Sequence, residues 1–356
     1  MSLLASYVSR TMLAAMLLTL VLLLGLEMVF SFIGELEEVK GGYTALEALI
    51  YIGLTGPQRA YNLLPIAALV GGITGLGLLA GASELVVMRA AGVSIGRIVW
   101  WVMRPALVLV VAGVLLGQYV VPESEKRAEI RRSQAQGQNY LVGARGTYWH
   151  REGGQVVRVG RVLPDGELRD LVFFRLAGDG HLQESVQARR ARYQGEGKGW
   201  RLFELSETRI RDDGSARVLQ SPERAWPSRL TPEFLRLVTL DPETLSLSNL
   251  YQYAHYMKQQ GLDSSAYFLE FWKKALAPLA TLSMVLIACS FIFGPLRSVT
   301  MGLRILAGVM AGLLFRYAQD FFGYASLVYD FSPVLAAGLP IAVCLLIGSV
   351  AIARVR

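Results

Sequence analysis

The sequence predicts an α-helical membrane protein of six transmembrane helices, with an antiparallel β domain inserted between the third and the fourth. Two observations predict it. Residues 11–34, 60–82, 98–121, 275–296, 301–322 and 333–353 are long, mostly apolar runs. Each holds about 20 such residues, enough to cross a ~30 Å hydrocarbon core as a helix. Residues 122–271, by contrast, have the composition of ordinary soluble protein. Overall composition agrees: 53% of residues are hydrophobic and 18% charged, against about 25% charged in soluble domains. The chain therefore divides into residues 1–136, carrying spans one to three; 137–245, the β domain; and 246–356, a connecting helix and spans four to six.

Span one follows SLLASYVSR and shows no small-x-small cleavage site near its end, so it reads as a retained helix rather than a signal peptide. Six spans put both termini on one side. Arg10, Arg89, Arg97, Arg104, Arg297, Arg304, Arg354 and Arg356 fall at span ends on that side, whereas the opposite loop GELEEVKGG is acidic. By the excess of arginine in cytoplasmic loops, the termini are expected in the cytoplasm and the β domain outside.

Spans two and three are joined by SELVVMRAAGVS, residues 83–94. A plain turn needs only four or five residues. Ser83 suits an N-cap, Glu84 a first turn and Gly92 a helix end, which predicts a short cytoplasmic helix. It reads either as a surface connection or as a docking element.

Within the insert, QVVRVGRV, RDLVFFRL, LQESVQARRARY and WRLFELSETRIR alternate apolar and polar residues, as half-buried strands do. Turn signals such as LPDGE, AGDG and QGEGKG separate them. Seven or so strands in an antiparallel sandwich or open roll are expected. Its interior is either an ordinary packed core or a place for an apolar guest. The flanking residues 122–136 continue span three as a charged helix. Residues 246–271 form an amphipathic helix, either interfacial or packed on the domain.

Three ionisable residues, Glu27, Arg316 and Asp320, lie inside apolar runs, where charge is costly and marks functional candidates. Arg316 and Asp320 stand four apart on one helix face, so an intrahelical ion pair is one reading of them. Lys40, Arg59, Lys273, Lys274, Arg131 and Arg132 add positive charge at external ends. They suit anionic headgroups, and snorkelling toward ordinary lipid phosphates also accounts for Lys273 and Lys274.

Other chemistry is excluded by what is missing. There is no phosphate-binding loop: GEGKGW at 195–200 places Gly199 where a hydroxyl residue is required. No nucleophile grouping or zinc signature is present, and His150, His181 and His255 match no metal-ligand spacing. Cys289 and Cys344 lie inside spans as small apolar packers. The net charge of +7 is no nucleic-acid signal, because the insert carries 22 basic against 20 acidic residues and the surplus sits on the topology-setting arginines. No catalytic residue, metal or bound cofactor is expected, and any ATP must be hydrolysed by another polypeptide.

SELVVMRAAGVS after a Gly-rich span, with SFIFGPLRSVTMGLR between spans four and five, resembles the LptF/LptG permease family of lipopolysaccharide export. FIFGPLRSV at 291–299 and DPETLSLSNLYQYAHYMKQQG at 241–261 look more like one of its two branches than the other. The resemblance covers the whole chain. It implies an α-helical membrane protein with six transmembrane helices and an inserted periplasmic β-jellyroll-like domain, in the bacterial inner membrane among its lipids. It implies a paralogous partner, LptF; a dimer of the ATPase LptB, carrying ATP and Mg2+; and LptC, whose membrane helix is expected beside span one. The cargo is lipopolysaccharide, drawn from the outer leaflet and passed toward the periplasmic LptA bridge. Residues 83–94 then correspond to a coupling helix in a groove of LptB, with Ser83, Glu84, Val87, Met88 and Arg89 as the coupling residues. Spans one and five line the lipid cavity.

Relatives of this type carry several lysines at the external end of span one. Here that stretch reads FSFIGELEEVKGG, with Lys40 its only basic residue. Lys40, Arg131, Arg132 and Arg316, with Glu27 and Asp320 in the same outer half, are the lipopolysaccharide-binding candidates. A mechanotransmitting subunit of another envelope-lipid or lipoprotein-releasing ABC system is the alternative function, and a non-transporting membrane scaffold is a third.

Overall fold

The computed structural model of the chain describes residues 2–39, 42–136, 148–152, 154–163, 166–176, 181–195, 197–210, 215–228, 230–232, 235, 241–259, 263–294 and 299–354. They form two compact units. One comprises Met1–Glu38, Ala48–Ala128 and Pro242–Arg356; the other comprises Val39–Glu47 and Glu129–Asp241.

The first unit is helical. Its elements are α1 (Ser2–Leu36), α2 (Ala45–Gly81), the short α3 (Glu84–Ala90), α4 (Ile95–Leu115), a π-helical turn (Leu116–Val120) and α5 (Val121–Ala135), whose end belongs to the second unit. After the β domain come α6 (Leu247–Gln259), α7 (Ser265–Phe293), α8 (Met301–Tyr329) and α9 (Pro333–Ala353). Six helices are long and apolar enough to span a membrane, with α4, the π turn and α5 forming one of them. The six expected runs are therefore observed, most of them longer than their apolar stretch.

Burial separates these spans. In α2, 78% of the most apolar stretch is buried, against 17% in α1 and 22% in α8. The centre is built on close backbone approach. A Cβ added at Gly71 of α2 falls 2.5 Å from the Met16 Cα of α1, so only glycine allows this contact, the usual device where helices pack without a hydrophobic driving force. Met12, Met16, Ile73, Leu76 and Val285 are fully buried or nearly so in the same core. Prolines 57 and 65 inside α2 remove backbone donors, which membrane helices tolerate when neighbours re-satisfy the freed carbonyls.

The connecting helix α6 buries Leu250 and Ala254 and stacks on α7. Ring centroids of Tyr251 and Phe271 are 5.5 Å apart, and those of His255 and Phe268 5.8 Å. The segment expected as one helix over 246–271 is α6 and the first turns of α7, and the surface α6 packs on is α7.

The second unit is one antiparallel sheet in sequential order: β1 (Tyr148–Glu152), β2 (Gln155–Val162), β3 (Leu168–Leu176), β4 (Leu182–Tyr193), β5 (Trp200–Ile210) and β6 (Ala216–Trp226). Four of these coincide with the alternating segments of the sequence. Among the described residues the count is six, against the seven or so expected, and β1 and β6 are the strands that alternation did not reveal.

The sheet is creased. Pairing passes from Val159↔Leu171 to Arg161↔Arg169, from Ala188↔Leu205 to Arg190↔Phe203, and from Leu205↔Ser221 to Phe203↔Glu223. The skipped residues, Gly160, Asp170, Arg189, Glu204 and Pro222, form one row across β2–β6. Asp170 and Glu204 have φ of 57° and 55°, and a Cβ on Gly160 would meet the Asp170 carbonyl oxygen at 2.9 Å. Pro222, which has no N–H, sits where the ladder is interrupted, on an edge strand.

The two arms fold toward each other about that row. Phe173 lies on β3 and Trp226 on β6, on opposite sides of the crease and three strands apart, about 14 Å in a flat sheet. Their ring centroids are nevertheless 5.0 Å apart, edge to face. Trp200 is fully buried beneath them, its Nε1 donating to the Leu230 carbonyl at 2.7 Å.

Candidate coupling helix and membrane charges

Helix α3 is closed as expected. Gly92, at φ 84°, donates to Arg89 O, and Val93 N–H reaches back to Met88 O, both at 3.0 Å; this is the paired Schellman ending that glycine permits. Its start differs from expectation. Ser83 has φ 61° and makes no side-chain cap bond. Its carbonyl instead accepts from Val86 and Val87, both at 3.1 Å, so the residue acts through its backbone.

The helix has one inward and one outward face. Leu85 and Met88 are each 5% exposed and belong to the membrane core, while Val86 and Val87 are 66% and 65% exposed. Arg89 is exposed beside them. Of the expected coupling residues, Val87 and Arg89 lie on the outward face, whereas Met88 is turned inward. Val86 takes its place, a residue that helical spacing around Met88 would have located. Glu84 is half-buried and bonded at Oε1 by the Tyr7 hydroxyl of α1, at 3.1 Å; its Oε2 is buried with no partner among the described residues.

Glu27 finds a partner on the next helix. Arg59 Nη1 lies 3.5 Å from Glu27 Oε1 and also bonds the Ser31 hydroxyl, while Arg59 Nε donates to Thr55 Oγ1 at 3.1 Å. Pairing is how an ionised side chain is sustained at membrane depth. The signal was present in sequence: Glu27 and Ser31, and Thr55 and Arg59, are two i,i+4 polar pairs on consecutive spans.

Arg316 and Asp320 stay apart: no ion pair joins them among the described residues, so the intrahelical reading does not hold. Arg316 is exposed on α8, along with the large apolar faces of Leu306, Met310, Leu314, Tyr317 and Phe321. Asp320 is half-buried and acts electrostatically on Lys273. Lys273 bonds Glu270 at 2.8 Å and Lys274 bonds the Leu245 carbonyl at 2.7 Å. Neither lysine simply snorkels.

In the second unit, Arg131 grips Glu47 with two bonds, Nε to Oε2 at 2.7 Å and Nη2 to Oε1 at 3.1 Å. That guanidinium is already occupied by a carboxylate. Arg132 is half-buried beside it. Lys40 lies outside the described residues. No group of three or more His, Cys, Asp or Glu able to hold a metal occurs among the described residues.

Comparison with known proteins agrees with this architecture. Residues 6–354 match the family model of the lipopolysaccharide export system permease LptF/LptG. Lipopolysaccharide export system permease protein LptG of Escherichia coli K12 is 36% identical over 335 residues, 94% of this chain and 93% of that protein. The protein of the same name from Haemophilus influenzae is 35% identical over the same shares. Both relatives come from the branch that residues 241–261 and 291–299 suggested. With the match extending over all six spans and the inserted β domain, the chain belongs to the LptF/LptG family of lipopolysaccharide export permeases.

Proposed function

We propose that this chain is the transmembrane permease subunit of an ATP-driven lipopolysaccharide exporter. It draws lipopolysaccharide from the outer leaflet of the inner membrane and passes it toward a periplasmic bridge. The observation that carries this reading is the uneven burial of the spans: α1 and α8 present long apolar faces to the outside, and α8 sets an exposed arginine in its own. Two such helices leave room for a partner and a lipid between them. An LptF paralogue supplies the facing helices, and the LptC membrane helix lies against α1. Both termini are cytoplasmic and the β domain is periplasmic.

In this mechanism the chain does no chemistry. ATP and Mg2+ sit on an LptB dimer, whose groove receives the Val86–Val87 edge of α3, with Glu84 as its polar contact. Closure of LptB pushes α3 toward the membrane. Because Leu85 and Met88 share a core with Val8 and Met12, and Tyr7 bonds Glu84, the push reaches α1 directly and narrows the cavity. Arg316 meets a lipid phosphate there through charge-assisted bonds. Arg132 and Lys40 are further candidates for lipid phosphates, while Glu27 holds Arg59 and Asp320 acts electrostatically on Lys273.

The test is purification of the complex with LptB and lipopolysaccharide, followed by lipopolysaccharide-dependent ATPase measurement. Unchanged transport in Glu84→Ala removes α3 as the coupling point. Absence of the ATPase from the purified complex removes the exporter reading.

A further inference from the structure

A second feature of the helical unit borders the face of α8 that carries Arg316, which is one of its lining residues. A crevice of about 650 Å³ opens between α2, α4 with its π turn, α7 and α8, beneath the start of α6. That is the size range of small-ligand sites. Its floor is apolar, formed by Leu64, Ile66, Val110 and Phe315 among others, and its rim is polar. The π-helical turn brings Gln118 and Tyr119 to the rim, and single π turns in otherwise regular helices recur at functional sites.

Two groups at this rim are incompletely satisfied, and in complementary ways. Lys274 directs its ammonium to the Leu245 carbonyl and lies 5.8 Å from the centre of the Tyr61 ring. No carboxylate lies within ion-pair distance of it among the described residues, and an ammonium has two further donors to place. Glu270, Glu243 and Glu125 act on it only from beyond that distance, so its remaining donors suit a phosphate oxygen. Gln58 is the reverse case. Its Nε2 donates to the Glu243 carbonyl and to Asn62 Oδ1, but its Oε1 is buried without a partner. A buried acceptor left empty calls for a donor. Glu243, Glu270 and Asp320 line the same rim, so a positively charged donor fits better than a neutral one.

The geometry points to a phospholipid site in this crevice, taking a zwitterionic phosphate–ammonium headgroup, phosphatidylethanolamine, with the phosphate on Lys274 and the ammonium on Gln58 Oε1 and its carboxylate neighbours. An acyl chain lies along the apolar floor. The cleft is amphipathic in the direction a lipid of the outer leaflet requires. Its mixed charge distinguishes it from a surface selective for a polyanionic lipid, and the site is complete within this one chain.

The test uses the intact complex, delipidated in detergent. It is titrated in parallel with dioleoyl-phosphatidylethanolamine, dioleoyl-phosphatidylglycerol and lipopolysaccharide, and bound lipid is counted by native mass spectrometry. The expected result is one phosphatidylethanolamine per chain, retained about tenfold more tightly than phosphatidylglycerol and not displaced by lipopolysaccharide. Lys274→Met abolishes retention and Lys274→Arg preserves it. Gln58→Leu keeps a lipid bound but loses the preference for ethanolamine over glycerol. Equal retention of the two phospholipids by the unaltered complex, displacement by lipopolysaccharide, or retention unchanged in Lys274→Met overturns the proposal. Should Lys274→Met fail to assemble, the selectivity of Gln58→Leu decides alone, and unchanged selectivity overturns it.

Discussion

The Tyr7 hydroxyl donates to Glu84 Oε1 at 3.1 Å, tying the start of the first membrane helix to the first turn of α3 across 77 positions of sequence. The other carboxylate oxygen is buried and has no partner among the described residues. The carboxylate is therefore oriented from inside the chain, at the start of the helix proposed to dock on the ATPase. Tyr7→Phe removes only the orienting bond. A hydrogen bond to a charged group contributes about 1.5–3 kcal/mol, so binding of the ATPase should weaken by about tenfold or more with the fold intact. Glu84→Ala removes the carboxylate itself and should weaken co-purification at least as much, and the double variant should be no worse than Glu84→Ala. Additive losses in a quantitative pull-down would show that Tyr7 acts independently of Glu84.

The Glu27–Arg59 pair makes a different prediction, about stability. Removing one member of a buried pair leaves an uncompensated charge and costs about 3–5 kcal/mol, less where water reaches it. With side chains 22% and 34% exposed, the lower end applies. Arg59→Leu should lower the thermal midpoint of the detergent-solubilised complex. Glu27→Gln should lower it less, since the neutral amide oxygen can still accept from Arg59. Combining Glu27→Leu with Arg59→Leu should recover most of the loss. A double variant as unstable as Arg59→Leu would assign the loss to packing of the arginine stem.

The folded β domain depends on contacts that cross its crease. Phe173 meets Trp226 and, beside them, Arg224 lies 3.6 Å from Glu207. Trp226→Ala should destabilise the domain by about 3–5 kcal/mol, read as lost hydrogen-exchange protection in β3 and β6. The ionic part gives a pH dependence. A hydrogen bond with the neighbouring Glu184 carboxyl, helped by Arg209 and Arg224 against the opposing effect of burial, holds Glu207 below the ordinary carboxylate value. Its folded value lies below its unfolded one. The stability it contributes is thus fully present above about pH 4.3 and lost as pH falls through the lowered folded value. Protection factors, corrected for intrinsic exchange, should fall in that acid window. Glu207→Gln should flatten the fall, and an equally steep fall in that variant would place the sensitivity elsewhere.

What could be read in the sequence follows from periodicity and local chemistry. Six apolar runs and four alternating segments announce themselves because burial imposes its spacing on the chain. Gly92 was readable because a left-handed helix ending favours glycine. Strand β6 was not, since ARVLQSPERAW is almost wholly exposed and carries a proline that normally argues against a strand. The crease was equally hidden, because it depends on five residues from five strands falling into one row. Glu27 could be recognised as costly from its position alone, but its partner is set by how α1 and α2 pack. Helical spacing placed α3 correctly, yet which of Val86, Val87 and Met88 faces outward depends on the core beneath it.

Arg316 carries the sharpest prediction for the lipid path. It stands exposed on α8, four residues from Asp320, yet the two form no ion pair, so its guanidinium is available to a phosphate in a low-dielectric setting where such bonds are strong. Arg316→Ala should reduce photo-crosslinking of lipopolysaccharide to α8 by about tenfold and leave ATPase co-purification unchanged. Arg316→Lys should recover part of the signal, because it keeps a charge but loses the planar two-point contact. Asp320→Asn should leave crosslinking unchanged or raise it, since a competing negative charge is removed. If Arg316→Ala crosslinks as well as the unaltered protein, the arginine serves the surface shared with the partner chain, and the phosphate contact must lie nearer the external end of the spans.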